Sequence, residues 1–313
     1  MPYELNSFNR TNRKVPYMGF YYANNSLHLL PSNSFVIIHS GQTNITNEDL
    51  QAKNLKPVVM FGMGENEFTN TSAYINHINE QKQWLNSRNI TPLAVMVGEE
   101  WYPGMTADPT IRNWAIFNNV NEYQRREIIQ NRLGICLGVL KQNFPTAYTV
   151  HVEPLWNNDN NYPSYYYAPI PDNLDVIGCD PYLSSYNLSP DVSQDMLNKF
   201  WQEVGIVLEG GWVANSLNPL VGACNYGKPV MLVGQTFKIQ QNGTLFSKSP
   251  SPGQLDWFYR LAQRRNEIVA MAFFCRENVG DISNIEAVYG LESLPDLANQ
   301  VSNIISYNNE IPT

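Results

Sequence analysis

Eight short apolar runs recur along the chain, each ending in polar residues or glycine. They are YMGFYY (17–22), SFVIIHSG (34–41), PVVMFGMG (57–64), PLAVMVGEE (92–100), AYTVHVEP (147–154), LDVIGCDPY (174–182), PVMLVGQTF (229–237) and IVAMAFFCREN (268–278). Near-continuous hydrophobicity, in place of strict alternation, is what a parallel strand buried on both faces requires. Between the runs lie segments with helical spacing. SAYINHINEQKQWLNS sets Ile75, Ile78 and Leu85 near one stripe, and the segment 120–144 repeats the pattern with Ile129, Leu133, Leu137, Leu140 and Phe144. SPDVSQDMLNKFWQEVGIVL and SPGQLDWFYRLAQRR each open with a serine N-cap and a first-turn proline, Ser189–Pro190 and Ser251–Pro252. Gln254 completes a capping-box spacing with Ser251. A last helix is expected over roughly 290–306. Between the first two runs, NNSLHLLPSN has room for only a short helix.

Strand alternating with helix eight times predicts a (β/α)8 barrel, the TIM barrel, as a single domain over residues 1–313. A doubly wound sheet is the competing architecture. It uses fewer strands and a glycine-rich phosphate loop after the first, and no such loop is present. No repeat, linker or low-complexity tract calls for a second domain.

Composition narrows the chemistry. The chain is 43% hydrophobic and only 15% charged, with asparagine at roughly one residue in eight. Its 28 acidic and 20 basic side chains leave a net charge of -8, which disfavours nucleic acid or an anionic membrane as partner. No apolar run reaches the about 18 residues that span a bilayer, and the opening MPYELNSFNRTNRK lacks a signal-peptide core. A cytoplasmic or virion-associated protein is therefore expected, and abundant asparagine with few charges suits a bacteriophage particle. The four cysteines show no CxxC pair, and Cys179 and Cys275 read as small buried thiols. The four histidines form no HxH or HExxH motif, so no metal and no organic cofactor are expected.

In such a barrel the active site lies at the C-terminal strand ends. Those ends carry His39, the pair Glu65 and Glu67, Glu99–Glu100–Trp101, Glu153 with Trp156, Asp180 with Tyr182, Gln235, and Arg276–Glu277. Several carboxylates around one mouth raise each other's pKa, as a general acid for a glycosidic oxygen needs. Trp101, Trp156 and the tyrosine-rich loop NNDNNYPSYYYAPIP offer flat apolar faces that suit sugar rings.

DVIGCDPY resembles the sixth strand of many glycoside hydrolase barrels, KPVMLVGQTF the seventh, and VMVGEEWY the fourth. The likeness covers most of the chain as strand order. In the retaining clan A glycosidases, the fourth strand ends in the acid/base glutamate and the seventh in the nucleophile glutamate. The resemblance thus implies Glu100 as acid/base, while Gln235 stands at the nucleophile position. A neutral amide cannot form the covalent glycosyl intermediate.

Three readings follow. In the first, Glu100 protonates the leaving oxygen and a carboxylate of strand five or six, Glu153 or Asp180, activates water or attacks. Alternation places Gly98 with Glu100, and Gly178 with Asp180, on one face. In the second, the substrate's own 2-acetamido group attacks, Glu99 orienting it and Glu100 protonating the leaving group. That arrangement needs a twist or bulge at the strand end, because adjacent strand residues face opposite ways. In the third, the barrel is catalytically inactive and binds glycan or builds an assembly such as a phage particle. The leading expectation is cleavage of a poly- or oligosaccharide, with Glu100 as acid, Asp180 as second carboxylate and Glu99 or Glu153 in support. Gln235, Tyr182, Trp101, Trp156, His39 and Arg276 are expected to bind the substrate.

Overall fold

The eight runs are strands, and they close on themselves. The computed structural model describes residues 11–21, 25–42, 44–99, 101, 111, 113–153, 171–179, 228–241, 244–247, 249–264, 266–274, 276–282 and 285–312. The barrel strands are β1 (Tyr17–Tyr21), β2 (Phe35–His39), β3 (Lys56–Met60), β4 (Ala94–Glu99), β5 (Tyr148–Glu153), β6 (Val176–Cys179), β7 (Val230–Gln235) and β10 (Ile268–Phe274). Neighbours pair in parallel around the closed order β1-β10-β7-β6-β5-β4-β3-β2. This is a (β/α)8 TIM barrel.

Two cores explain why the runs are hydrophobic on both faces. Phe35, Ile37, Val58, Met60, Met96, Val150, Val152, Met231 and Val233 pack together inside the barrel. Their sequence neighbours, such as Val36, Val59, Val95, Leu232 and Phe273, face the helices in a larger outer core. Inside, bulk on one strand is matched by its absence on the next. A Cβ at Gly19 would lie 2.4 Å from the Phe35 ring, and one at Gly178 would lie 2.3 Å from Val152 Cγ2.

The described helices are α1 (Asn47–Ala52), α2 (Glu65–Thr69), α3 (Thr71–Ser87), α4 (Glu122–Asn143), α5 (Pro252–Arg264) and α6 (Pro295–Glu310). The α4 stripe is buried as its spacing predicts, from Ile129 through Phe144. In α3 the buried stripe is Tyr74, Ile78 and Leu85. Ile75, placed on that stripe by spacing, is 38% exposed, because the larger Tyr74 takes the inward position one residue earlier. The Ser251 hydroxyl accepts from the Gln254 backbone N–H (3.2 Å) and the Gln254 side-chain oxygen Oε1 accepts from Ser251 N–H (2.5 Å), forming the expected capping box. The segment expected to be a helix from Ser189 lies outside the described residues, as do Cys224 and Cys275. The link from β1 to β2 holds only a 3-10 turn at Leu27–Leu29. No helix among the described residues is long and apolar enough to cross a membrane.

The last elements are bound to the first. Arg13 donates to the backbone carbonyls of Ala262 (2.7 Å), Asn266 (3.2 Å) and Ile268 (2.7 Å). Asn308, buried in α6, accepts from Val15 N–H (2.8 Å) and Tyr259 O–H (3.1 Å) and donates to Val15 O (2.9 Å).

One element was not foreseen. The segments after the seventh and eighth barrel strands form β8 (Lys238–Gln241), β9 (Thr244–Ser247), β11 (Val279–Ile282) and β12 (Ile285–Tyr289). They make an antiparallel sheet in the order β11-β12-β8-β9. Each hairpin pair is separated by two residues, Asn242–Gly243 and Ser283–Asn284, and Asn-Gly is a strong hairpin signal.

Candidate active site at the C-terminal mouth

The C-terminal end of β4 departs from regular pairing. Met96 pairs with Val150 and Glu99 with Val152, so three steps along β4 match two along β5. This is a β-bulge, and Gly98 within it has φ +124°. Only glycine adopts that backbone without strain, and a Cβ there would also lie 2.9 Å from Trp101 Nε1. The bulge shifts the phase by one residue. Simple alternation set Gly98 and Glu100 inward; the register instead aligns Glu99 with Val152, a residue of the inner core. A glycine inside a strand pattern was the available signal.

Gln235 ends β7 in register with Phe274 and is 2% exposed. Its Nε2 donates to the backbone oxygen of Phe237 at 3.1 Å. Because a carbonyl only accepts, the amide nitrogen is required at that position. The side chain expected to hold sugar is thus engaged in fixing the turn that leads into β8. Around it the wall is aromatic: Phe274 meets Phe237 and Tyr21 edge-on, at centroid distances of 5.3 and 5.4 Å.

His39 ends β2 beside Met60, and burial lowers its pKa, so the imidazole is neutral near pH 7. Arg276 follows β10; its N–H donates to Tyr21 O (3.0 Å) and its carbonyl accepts from Glu292 N–H (3.2 Å). Burial lowers its pKa, while the nearby Glu292 and Glu277 act to raise it. Its charged neighbours among the described residues are thus carboxylates that follow the eighth strand. Glu277 accepts from Asn25 N–H (2.5 Å) and Ser26 O–H (2.8 Å), tying down the segment after β1. Glu65 accepts from Ala115 N–H (2.7 Å) and Glu67 from Gly64 N–H (2.9 Å), so both serve local structure.

Trp101 is 4% exposed, with its ring 5.7 Å from Phe68 and 5.7 Å from His151, both edge-on. Expected as a stacking platform, it is a core residue that packs against the bulge. The polar backbone bend of β4 needed an apolar cover, and the indole supplies it. Glu153 ends β5 in register with Cys179, but its side chain lies outside the described part. Glu100, Asp180, Tyr182 and Trp156 lie outside the described residues altogether. The described mouth therefore brings together His39, Glu99 and Gln235, with the Phe237–Phe274–Tyr21 wall beside them.

A cavity of about 360 Å³ bounded by described residues opens at the opposite, N-terminal end. It is lined almost wholly by apolar side chains and holds none of the candidates above. The chemistry expected of this barrel requires polar groups and developing charge, so the C-terminal mouth remains the candidate site.

The chain matches no known family profile and no curated protein sequence. Its fold does recur among solved structures. A GH5_18 protein from Streptomyces cattleya, solved in complex with GlcNAc, superposes with a TM-score of 0.55 at 12% identity, over 96% of this chain and 82% of that one. A family 1 β-glucosidase from Thermotoga maritima gives 0.50 at 9% identity, over 88% and 83%. The virulence factor SghA, in complex with the substrate analogue salicin, gives 0.50 at 10% identity, over 89% and 84%. The first two are glycoside hydrolases built on parallel eight-stranded barrels, and at such identity the likeness is one of fold.

Proposed function

We propose that this barrel cleaves glycosidic bonds of a poly- or oligosaccharide at its C-terminal mouth, without a nucleophile on the seventh strand. The observation that carries the reading is the bulge at Gly98. It turns the first of two adjacent carboxylates, Glu99, into register with the inner wall, where regular alternation would have turned it away. Gln235 fits the same reading. Its amide is held by Phe237 O, so it acts as a built part of the β7 turn and not as a nucleophile stripped of its charge.

Glu100 is assigned as the general acid that protonates the leaving oxygen. Two routes then complete the reaction. A carboxylate of strand five or six, Asp180 or Glu153, activates water. Alternatively, the acetamido oxygen of a 2-acetamido sugar attacks the anomeric carbon as the glycosidic C–O bond breaks, with Glu99 orienting the amide. The bulge supports the second route by bringing Glu99, the acid assigned to orient the amide, into register with the inner wall. Tyr182 and Trp156 are assigned to sugar binding, and His39 to orienting a hydroxyl as a neutral imidazole.

The test is reducing-end release from a panel of polysaccharides, led by substrates containing N-acetylhexosamine, with Glu99→Gln and Glu100→Gln run beside the wild type. Release that vanishes in Glu100→Gln supports the assignment. Loss in Glu99→Gln on N-acetylated substrates selects substrate assistance. No release from any substrate by a folded wild type, with glycan binding retained, would mean that the barrel only holds its sugar.

A further inference from the structure

We infer that the N-terminal mouth of the barrel is a second binding site, for a small uncharged apolar molecule bearing one hydroxyl. The cavity there is coaxial with the barrel, and all eight barrel strands or the residues leading into them contribute to it. Its volume of about 360 Å³ falls within the about 300–1,000 Å³ typical of small-molecule sites.

The space has a definite origin in the register. Tyr17 of β1 aligns with Ala270 of β10, which aligns with Met231 of β7. On the other side, Tyr148 of β5 aligns with Ala94 of β4, which aligns with Val58 of β3. In the closed strand order β1 lies opposite β5, and β10 lies opposite β4. Two tyrosines thus face each other across the axis, each beside an alanine, and the alanines leave the volume that larger side chains would fill.

The tyrosines also supply the only hydroxyl pair of the lining. Burial first, and the neighbouring Tyr148 phenol second, raise the Tyr17 pKa, so the two hydroxyls stand together at one apolar cavity. A phenol hydroxyl both donates and accepts, so this pair has capacity left for one ligand hydroxyl. Asp175 at the rim calls for no cationic ligand. Its carboxylate already accepts from Lys141 Nζ (2.5 Å) and Thr149 N–H (2.9 Å). The apolar lining likewise excludes a sugar, whose hydroxyls would go unpaired there. Tyr148, 47% exposed, stands where a ligand would enter.

The test measures fluorescence of the neutral probe N-phenyl-1-naphthylamine with the full chain. The wild type should bind it, and Ala94→Leu and Ala270→Leu should each weaken binding by at least about tenfold by occupying the space. Thermal melts of both variants establish that they fold, and Tyr148→Trp at the exposed entrance provides a third obstruction that leaves the core intact. p-Cresol should displace the probe better than toluene does. No probe binding, or equal binding in all filled variants, would overturn the site; equal displacement by the two competitors would overturn the hydroxyl. A wild type that sediments as a dimer and becomes monomeric in Tyr148→Trp would place a second copy on this mouth and overturn the small-molecule reading.

Discussion

At the N-terminal mouth, tyrosine, alanine, valine and methionine from the strand starts enclose an apolar volume. At the C-terminal mouth, three of the same eight strands end in His39, Glu99 and Gln235, one of them after a bulge and one bound to the turn that follows. The difference shows how one barrel separates two tasks. Both mouths carry a shift in pairing: on β10 it lies between Ile268 and Ala270 among apolar lining residues, and on β4 it immediately precedes a carboxylate. On β4 hydrogen-bonded regularity is given up and a carboxylate changes face.

The largest expected effects separate the ends by activity. Glu100→Gln, and Glu99→Gln on N-acetylated substrates, should each lower kcat by about 10²–10⁴, the range for loss of a general acid or base. Ala94→Leu at the other mouth should leave kcat unchanged in the same assay. A loss there would show that the two ends are not separable.

Next come the glycines. Gly98→Ala forces a side chain onto φ +124° and against Trp101, and should cost about 1–3 kcal/mol in urea unfolding while also lowering activity. Gly19→Ala drives a Cβ into the Phe35 ring and should cost a similar about 1–3 kcal/mol, with kcat retained in the folded fraction. Gln235→Glu should destabilise by about 1–3 kcal/mol, since a carboxylate would face Phe237 O without a proton to donate. It should not create a retaining glycosidase; a trapped glycosyl-enzyme in this variant would refute the structural role of the amide.

The smallest effects appear in the pH dependence of stability, and the two mouths differ in window. His39 has a folded pKa lowered by burial, so the folded state binds fewer protons than the unfolded one. Stability should fall as pH drops from about 6.5 toward the folded value, and His39→Gln should remove that slope. For Asp175, burial acts to raise the pKa, but the Lys141 ammonium and the Thr149 N–H and hydroxyl outweigh it and hold the carboxyl below its ordinary value. Its contribution is present above about pH 4 and is lost as pH falls through the folded pKa. Asp175→Asn should therefore lower stability above about pH 4 and flatten the limb below it.

The strands were legible because burial on both faces demands unbroken hydrophobicity, and each of the eight runs became a barrel strand. The α4 stripe and the Ser251–Gln254 cap were legible for the same local reasons. The face of Glu99 was not, since alternation counts residues and a bulge adds one. Trp101 looked like a platform because aromatic type carries no sign of depth. The small antiparallel sheet was announced by QNGT, but the search for barrel strands favoured long apolar runs over short amphipathic ones. Tyr74 displaced Ile75 because spacing alone does not rank side chains by the area they bury.

The pairing of β1 with β10, and the grip of Arg13 on carbonyls 249 to 255 residues further along, have a consequence for biosynthesis. A nascent chain emerging from the ribosome can build β1 through β7 in order, but it cannot close the cylinder until the eighth strand has been made. Until then β1 and β7 present open backbone edges of the kind that join other chains. Chains arrested after β7 should therefore aggregate or occupy chaperones, whereas chains that extend through α6 latch shut by engaging their own first residues.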